Sequence, residues 1–275
     1  MGRALTTALI DGGHATTVWN RSPGKTRPLV ARGGIAAGSL AAAVSASPLT
    51  VACLLDHASV HEVLDPIASS LHGKALINLT TTTPREAREL ADWAAHHRID
   101  YLDGGIMAVP DMIGGPGSAI FYSGSAAVFE EHRALLDRWG EGSYFGPDAG
   151  LASLYDMAIL TGMYVMFAGF MHGAAMVAPE GVSATDFAAR ATPFLAAMTG
   201  AFARFASIID AADYAGEGQQ SLEFSDLSKF VTATIEQGVS AEVLQPVHDM
   251  IRRQIAAGHG KEGFARIFEE LRSRR

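Results

Sequence analysis

The sequence of 275 residues contains a single cysteine, Cys53, which lies in an apolar segment. One cysteine forms no intramolecular disulfide and cannot supply a cysteine-based zinc site. The histidines are scattered along the chain, so we also expect no metal centre. A chain with one unpaired thiol suits a reducing compartment, and we expect a cytoplasmic protein.

The chain is also poor in positive charge. It has 21 Lys and Arg against 29 Asp and Glu, a net charge of −8. Because no stretch forms a basic face, we expect no nucleic-acid partner. The N-terminus lacks the apolar core of a signal peptide. With 48% hydrophobic residues, the chain is long enough for one large or two medium domains.

Formal charge is absent over the 22 residues from Met157 to Ala178. An apolar run of that length could cross a bilayer. However, it contains several glycines and His172, and no excess of Lys or Arg flanks either end. We therefore expect no membrane span but a long helix over residues 150–179, apolar all round because it is buried in a large protein or a dimer. His172 is expected to be a packed core histidine.

Strand and helix patterns alternate up to about residue 148. Continuous apolar strands at 50–55 and 75–79 are typical of a sheet covered on both faces. The alternation predicts an α/β domain with a mostly parallel sheet over residues 1–148. The rest, residues 149–275, is expected to be all-α, with helices at 184–198, 201–212, 222–236, 241–257 and 262–274 after the long helix.

The first residues match the end of a dinucleotide-binding loop. In such a unit a strand leads into Gly-x-Gly-x-x-Gly and then a helix whose N-terminus holds the pyrophosphate. Here Gly2 takes the place of the third glycine, and the first strand is missing. Because that strand is central in this topology, the strands at 15–19 and 50–55 should not pair with each other. We expect about a dozen further residues upstream in the natural protein.

The turn after the second strand favours NADP over NAD. An NAD enzyme places an acidic residue there for the ribose 2′-hydroxyl. This chain has Asn20, Arg21 and Ser22, with Lys25 just beyond. A guanidinium fork, a hydroxyl and an ammonium suit a 2′-phosphate, although an ordinary solvated turn could use the same residues.

Six segments then point to one family: VWNRSPGK, INLTTTTPREARELADW, DGGIMAVPDMIG, FYSG, DAGLASLYDMAILTGMY and ATPFLAAMTG. Together they resemble the NADPH-dependent imine reductases, and within them the reductive aminases, which are related to the β-hydroxyacid dehydrogenases. The resemblance runs from Gly2 to the GHG at 258–260. It implies a Rossmann-like NADP-binding domain and a long inter-domain helix leading into a helical domain. It also implies an intertwined homodimer in which each active site combines one subunit's nucleotide domain with the partner's helical domain.

The resemblance makes Asp156 and Tyr164 the candidate catalytic residues. Four positions depart from the family pattern: Thr81 stands where reductive aminases often have Asn, Phe194 where Trp is common, and Glu223–Phe224 where Met-Gln can occur. The candidate cofactor-binding residues are Gly2, Asn20, Arg21, Ser22, Lys25, Leu54, Leu55, Thr80, Thr81, Met107, Ala108 and Val109. The candidate substrate pocket comprises Pro110, Met163, Phe167, Phe194, Met198, Glu223 and Phe224.

The spacing of the two catalytic candidates allows a shared cleft. Eight residues of helix separate Asp156 from Tyr164 by about 80° in azimuth and about 12 Å along the axis. Alternative roles exist for each residue taken alone. Ser153 and Asp156 have the spacing of a capping box, and a lone tyrosine is more often a core residue with a satisfied hydroxyl.

The head of the long helix has no lysine, and the chain's four lysines are Lys25, Lys74, Lys229 and Lys261. The related hydroxyacid dehydrogenases need a lysine there as proton donor. A carboxylic acid suits an imine better than a ketone, so we expect hydride transfer from NADPH to a C=N carbon. Asp156 would handle the nitrogen's proton, with Tyr164 orienting. The apolar lining predicts hydrophobic imines, either supplied as such or formed in the site from ketone and amine. The alternatives are a hydroxyacid dehydrogenase and an inactive NADP-binding dimeric protein.

Overall fold

The computed structural model describes residues 1–272, which form two compact units. The first unit is Met1–Thr161, and the second begins at Gly162. The sequence places the domain boundary at residues 148/149, where the long helix begins. By packing the boundary falls about three turns later, because the head of that helix lies against the sheet of the first unit.

The first unit is built on a five-stranded sheet. The strands of the unit are β1 Thr17–Val18, β2 Ile35–Ala36, β3 Leu49–Ala52, β4 Ala75–Asn78, β5 Asp100–Met107, β6 Ala119–Gly124 and β7 Glu141–Tyr144. The sheet has the order β3-β4-β5-β6-β7, and only its β5–β6 pair is antiparallel. The expectation of a mostly parallel α/β sheet is thus confirmed. The helices of the unit are α1 Gly2–Asp11, α2 Arg27–Val30, α3 Leu40–Ser45, α4 His57–Leu64, α5 Pro84–His96, α6 Ala126–Glu131, α7 Arg133–Leu136 and the head of α8 Gly150–Val177.

Strands β1 and β2 form a separate parallel pair. Within residues 1–272 no ladder joins β1 to β3, as the sequence predicts for this topology without its first strand. Helix α1 is nevertheless anchored in the core through Leu5 and Leu9, and the indole of Trp139 donates a hydrogen bond of 3.0 Å to the Leu5 carbonyl. The existence of residues upstream stays a prediction.

Both faces of the five-stranded sheet are covered, which explains the continuous apolar strands. Neighbouring strand residues point to opposite faces. Leu76 and Tyr101 belong to the core that includes α4 and α5, whereas Ile77 and Leu102 belong to the core that includes α1. Two residues beyond Tyr101 on the same face stands Asp103, fully buried.

Helix α5 begins where the sequence predicts, with Pro84 at its first position. The hydroxyl oxygen of Thr83 accepts from the Glu86 amide, and a Glu86 carboxylate oxygen accepts from the Thr83 amide at 2.8 Å. This reciprocal capping box satisfies backbone donors that the first helical turn leaves free. It thereby fixes the end of the loop that carries the predicted residues Thr80 and Thr81.

The head of α8 is held by a charged clamp. A carboxylate oxygen of Asp148 accepts from the Gly150 amide at 3.0 Å. The guanidinium of Arg88, on α5, donates two hydrogen bonds of 2.8 Å to the same carboxylate. Bidentate pairing of this kind fixes orientation as well as distance. The predicted helix over 150–179 is confirmed, ending at Val177.

In the second unit, helical structure dominates as expected, but the segment 222–236 is helical only from Ser228. The Leu222 and Glu223 amides donate instead to the carbonyls of Glu262 and Gly260, at 2.8 and 3.1 Å. These bonds to another segment replace the intrahelical ones. The predicted helix over 262–274 becomes α-helical only at Ile267, and its last two residues lie outside the described range. The helices here are α9 Ala184–Met198, α10 Phe202–Ala211, α11 Ser228–Glu236, α12 Gln245–Gln254 and α13 Ile267–Arg272.

Two helical stretches, Gly150–Glu180 and Ala184–Ala211, have the length and apolar composition that would allow them to cross a membrane. Length and composition alone are weak grounds for a span, because long apolar helices also occur in soluble assemblies. The second stretch carries Arg190 and Arg204 along its length. Many of its apolar side chains are exposed in the single chain, which is typical of a surface that another molecule covers.

Candidate active site

The nucleotide-side candidates meet at one edge of the five-stranded sheet. Because β3, β4 and β5 are parallel, the residues that follow them lie at the same edge: Leu54 after β3, Thr80 after β4, and Met107 at the end of β5. The Leu54 amide donates to the Thr80 hydroxyl oxygen at 2.9 Å, which ties two of these ends together. Such an edge is where open parallel sheets bind ligands.

The N-terminus of α1 reaches the same region. A side chain added at Gly2 would touch Cys53, the residue just before Leu54, at 3.8 Å. The first amides of a helix have no partner within it, so this end is suited to a phosphate. The loop beyond is open, since Leu55 is 84% exposed.

The turn of Asn20, Arg21 and Ser22 is preformed and exposed. The Ser22 amide donates to the Asn20 side-chain oxygen at 2.9 Å, an Asx turn that fixes the backbone. The Arg21 guanidinium donates to Glu62, on α4, at 3.0 Å. Both partners are well exposed, so the pair is weak and leaves the guanidinium able to take up a phosphate. This exposed cation and hydroxyl fit an adenosine 2′-phosphate.

Of the remaining candidates of the first unit, Thr81 and residues 107–110 lie at or after the ends of strands of the five-stranded sheet, and Lys25 follows β1. Thr81 is exposed between the buried Thr80 and Thr82. Met107 and Ala108 are half-buried, whereas Val109 and Pro110 are exposed, as a loop facing a ligand would be. Lys25 is exposed in the turn after Ser22.

Asp156 is buried on α8 directly beside β5. A side chain at Gly105 would place its Cβ 2.7 Å from the Asp156 Cβ, so only glycine permits this approach of helix to strand. The residue is 3% exposed, and burial raises the pKa of its carboxyl to about 6. Within the described residues its carboxylate accepts no hydrogen bond. A group with such a pKa and no fixed partner is suited to transfer a proton near neutral pH.

A buried polar network lies next to Asp156, and our sequence reasoning did not single it out. The Asp103 carboxylate accepts hydrogen bonds from the hydroxyls of Tyr101 and Ser153, both at 2.8 Å, and from the Asn78 amide group at 3.4 Å. Burial raises the pKa of Asp103 to about 6, with a further upward contribution from Asp156, while the donors oppose the rise. The available signal was a charged residue inside a strand buried on both faces, which needs paired polar groups.

The capping alternative for Asp156 is wrong. Helix α8 begins at Gly150, so Ser153 and Asp156 lie inside it. The Ser153 hydroxyl donates to Asp103, and it also lies 3.2 Å from the Thr82 hydroxyl. The helix terminus is instead satisfied by Asp148.

Stacked aromatic rings fix the rotation of the same helix. Tyr155 lies over Phe145 with ring centroids 4.2 Å apart and planes 15° apart, and it meets Phe121 edge-on at 6.1 Å. Aromatic pairs of this geometry add to the area they bury. With Tyr155 held on the sheet, the neighbouring Asp156 is directed to β5.

The second unit presents its candidates on its surface. Tyr164 is 65% exposed and therefore is not a core tyrosine. Glu223 accepts a hydrogen bond of 2.6 Å from the Lys261 ammonium. His172, which the sequence predicts to be a packed core histidine, is half-buried. Its Nε2 atom lies 3.1 Å from the hydroxyl oxygen of the buried Thr234. Met163 is half-buried, and the exposed pocket candidates are Phe167, Phe194, Met198 and Phe224.

Comparison with known proteins places these features in a family. A model described as the NAD binding domain of 6-phosphogluconate dehydrogenase matches residues 1–149, and one described as NADPH-dependent reductive aminase-like, C-terminal domain, matches residues 148–273. The chain is 38% identical over 274 residues to an NADPH-dependent reductive aminase of Aspergillus oryzae, covering 98% of this chain and 93% of that protein. It belongs to the reductive aminase family.

Solved structures of imine-reducing enzymes have the same fold as this reductive aminase family member. The reductive aminase of Aspergillus terreus, in complex with NADPH4, cyclohexanone and allyl amine, is 42% identical with a TM-score of 0.93, over 98% of this chain and 95% of that one. An imine reductase of Myxococcus stipitatus, in complex with NADP+, is 36% identical with a TM-score of 0.93, over 98% and 96%. The fold expected from the sequence is thereby confirmed.

The raised pKa of Asp156 predicts a stability gain on neutralisation. The folded-state pKa of about 6 exceeds the unfolded value of about 3.9, so the folded protein binds more protons between these values and loses stability as pH rises through them. Asp156→Asn should therefore raise the free energy of unfolding by about 3 kcal/mol at pH 8 and leave it nearly unchanged at pH 4. Urea unfolding at the two pH values measures this.

Asp92→Asn, at an exposed position of α5, is the matched control and should change neither value. A gain for Asp156→Asn of the same size at both pH values would show that charge burial is not its cause.

Proposed function

We propose that this protein reduces imines to amines with NADPH, including imines that form from a ketone and an amine. The observation that carries the proposal is Asp156. It is a buried carboxyl with a pKa of about 6, without a hydrogen-bond donor among residues 1–272, at the head of a helix packed on the nucleotide-binding sheet. The reductive aminases and imine reductases that the chain resembles carry the same activity in their names.

NADPH would be held by the residues at the sheet edge. The N-terminus of α1 at Gly2 would bind the pyrophosphate, and Arg21, Ser22 and Lys25 would bind the 2′-phosphate. Met107 to Val109 would border the nicotinamide. When bound, NADPH supplies the hydride that reduces the C=N carbon.

The chain's own contribution is the proton. Burial disfavours the charged form of Asp156 and raises the pKa of its carboxyl to about 6, so part of the protein still carries this proton near neutral pH. Asp156 gives this proton to the nitrogen as the C=N bond is reduced, and the carboxylate regains one from solvent. With no lysine near the head of α8, this carboxyl replaces the ammonium that a hydroxyacid dehydrogenase would use. Tyr164 of α8 would orient the substrate.

The functional unit, we propose, is a homodimer whose active sites combine both subunits. The side chains of Tyr164 and Phe167 on α8 and of Phe194 on α9 are largely exposed in the single chain, and apolar side chains in such number need a cover. A second copy of the chain provides it better than lipid does, because Arg190 and Arg204 lie within the second apolar stretch and hydrocarbon penalises charge. The partner's helices would complete the pocket with Met163, Met198, Glu223 and Phe224, and its lining would favour hydrophobic imines.

Turnover of a cyclic imine tests the activity. NADPH oxidation followed at its absorbance should depend on the imine and exceed the rate with NADH. With short hydroxyacids and NADP+, no NADPH should form. Asp156→Asn should lower kcat by about 10²–10⁴-fold, because the proton donor is lost. Tyr164→Phe should lower kcat less than Asp156→Asn does.

Asp92→Asn is the control and should leave turnover unchanged. Asp148→Asn is unsuitable as a control because Asp148 holds the head of α8 in place. Unchanged imine turnover in Asp156→Asn would contradict the assigned proton donor. Turnover of hydroxyacids but not imines would favour the dehydrogenase alternative. If neither substrate is turned over, the result would favour an inactive NADP-binding protein.

Sedimentation velocity in detergent-free buffer tests the dimer. The protein should sediment at about twice its chain mass of 28.9 kDa. Val165→Glu, which puts a charge at an exposed apolar position of α8, should shift it towards monomer, whereas Arg85→Glu on α5 should not. A wild-type monomer at micromolar concentration, or a protein soluble only in detergent, would contradict the proposal.

A further inference from the structure

The buried carboxylate of Asp103 has the partners of an ionised group. Its two oxygens accept from the hydroxyls of Tyr101 and Ser153 and from the Asn78 amide group. The Asn78 nitrogen also donates to the Tyr101 oxygen at 3.2 Å, which directs the tyrosine proton to Asp103. Three donors on both oxygens favour the charged form of Asp103 and oppose the rise in its pKa that burial causes, whereas no donor opposes the same rise at Asp156 within the described residues.

Asp103 is connected to Asp156 through the packing of α8 on β5. Ser153, which donates to Asp103, precedes Asp156 by three residues, about 4.5 Å along the helix. Gly105, which contacts Asp156, follows Asp103 by two residues, about 7 Å along the strand and on the same face. Ser153 thus lies over Asp103 and Asp156 over Gly105.

The two carboxyls have opposite surroundings. Asp103 accepts hydrogen bonds from three donors, whereas Asp156 accepts no hydrogen bond within the described residues. When two carboxyls interact in a protein interior and only one is stabilised as the anion, that one keeps the charge and the other keeps the proton. The asymmetry of donors therefore assigns the proton to Asp156.

We propose that Asp103 is a positioning residue: it fixes the head of α8 through Ser153, and its negative charge favours the protonated form of Asp156. The inference rests on the proposed function, in which Asp156 is the proton donor. Packing alone does not explain why a charged residue lies inside this strand, whereas the proposed role of Asp103 does.

Other charged groups around the pair do not offset this effect. Tyr101 stays neutral at working pH, since burial raises its pKa well above the ordinary value. Thr80 and Thr82, from the loop after β4, are neutral. The cation at the head of α8, Arg88, is occupied by Asp148 in an exposed pair.

Asp103→Asn removes the negative charge with little change in the shape of the side chain. The effect is measured as the pH dependence of kcat with a cyclic imine. The wild-type rate should fall as pH rises and Asp156 loses its proton. In Asp103→Asn this descending limb should move down by about one pH unit, so that kcat falls about tenfold at pH 8 but only about twofold at pH 5. Thr82→Val, which spares Asp103, should leave the limb in place.

Tyr101→Phe is the second variant, in case Asp103→Asn folds poorly. It removes one donor and keeps the carboxyl, so the limb should move in the same direction by less. A loss of kcat that is equal at all pH values in both variants would overturn the proposal, because it would mark a purely structural role.

Carbon NMR of aspartate-labelled protein separates this inference from the proposed function, since it needs no turnover. The Asp156 signal, identified by its absence in Asp156→Asn, should titrate at lower pH in Asp103→Asn than in the wild type. An unmoved titration overturns the proposal. A moved titration with no imine turnover supports the electrostatic link to Asp103 and refutes the proposed function instead.

Discussion

The close approach of α8 to β5 is the contact on which the proposed site depends. Gly105 leaves no room for a side chain between strand and helix, and the hydrogen bond from Ser153 to Asp103 fixes the register of the two elements. The Arg88–Asp148 clamp and the Tyr155–Phe145 stack hold the same helical turns from other sides. The Asp156 carboxyl is therefore buried, but it accepts no hydrogen bond within the described residues.

Burial without a partner costs stability, and proteins usually avoid it. Here the cost yields a carboxyl with a pKa raised to about 6, beside the sheet edge where the nucleotide residues assemble. The charge on Asp103 works in the same direction, because a neighbouring anion disfavours a second one. Catalytic carboxyl pairs divide their roles in this way when their environments differ.

Much of the fold could be predicted because it depends on local signals. Alternating apolar segments gave the two-faced parallel sheet, and Pro84 after Thr83 marked the start of α5. Asp156 was found through its motif, but Asp103 was not, since its significance depends on Ser153, fifty residues away in the chain. The prediction of a helix over 222–236 was wrong for its first residues for a related reason. The Glu223 amide donates to the Gly260 carbonyl, which belongs to a distant segment of the chain.

A crystal structure of the full chain with NADP+ and an amine product tests the central claim most directly, since it shows which group reaches the nitrogen. The account predicts the Asp156 carboxyl about 2.6–3.2 Å from the product nitrogen, directly or through one water, beside the nicotinamide C4. A nitrogen held by Tyr164 alone, with the Asp156 carboxyl turned away from the ligand, would contradict it.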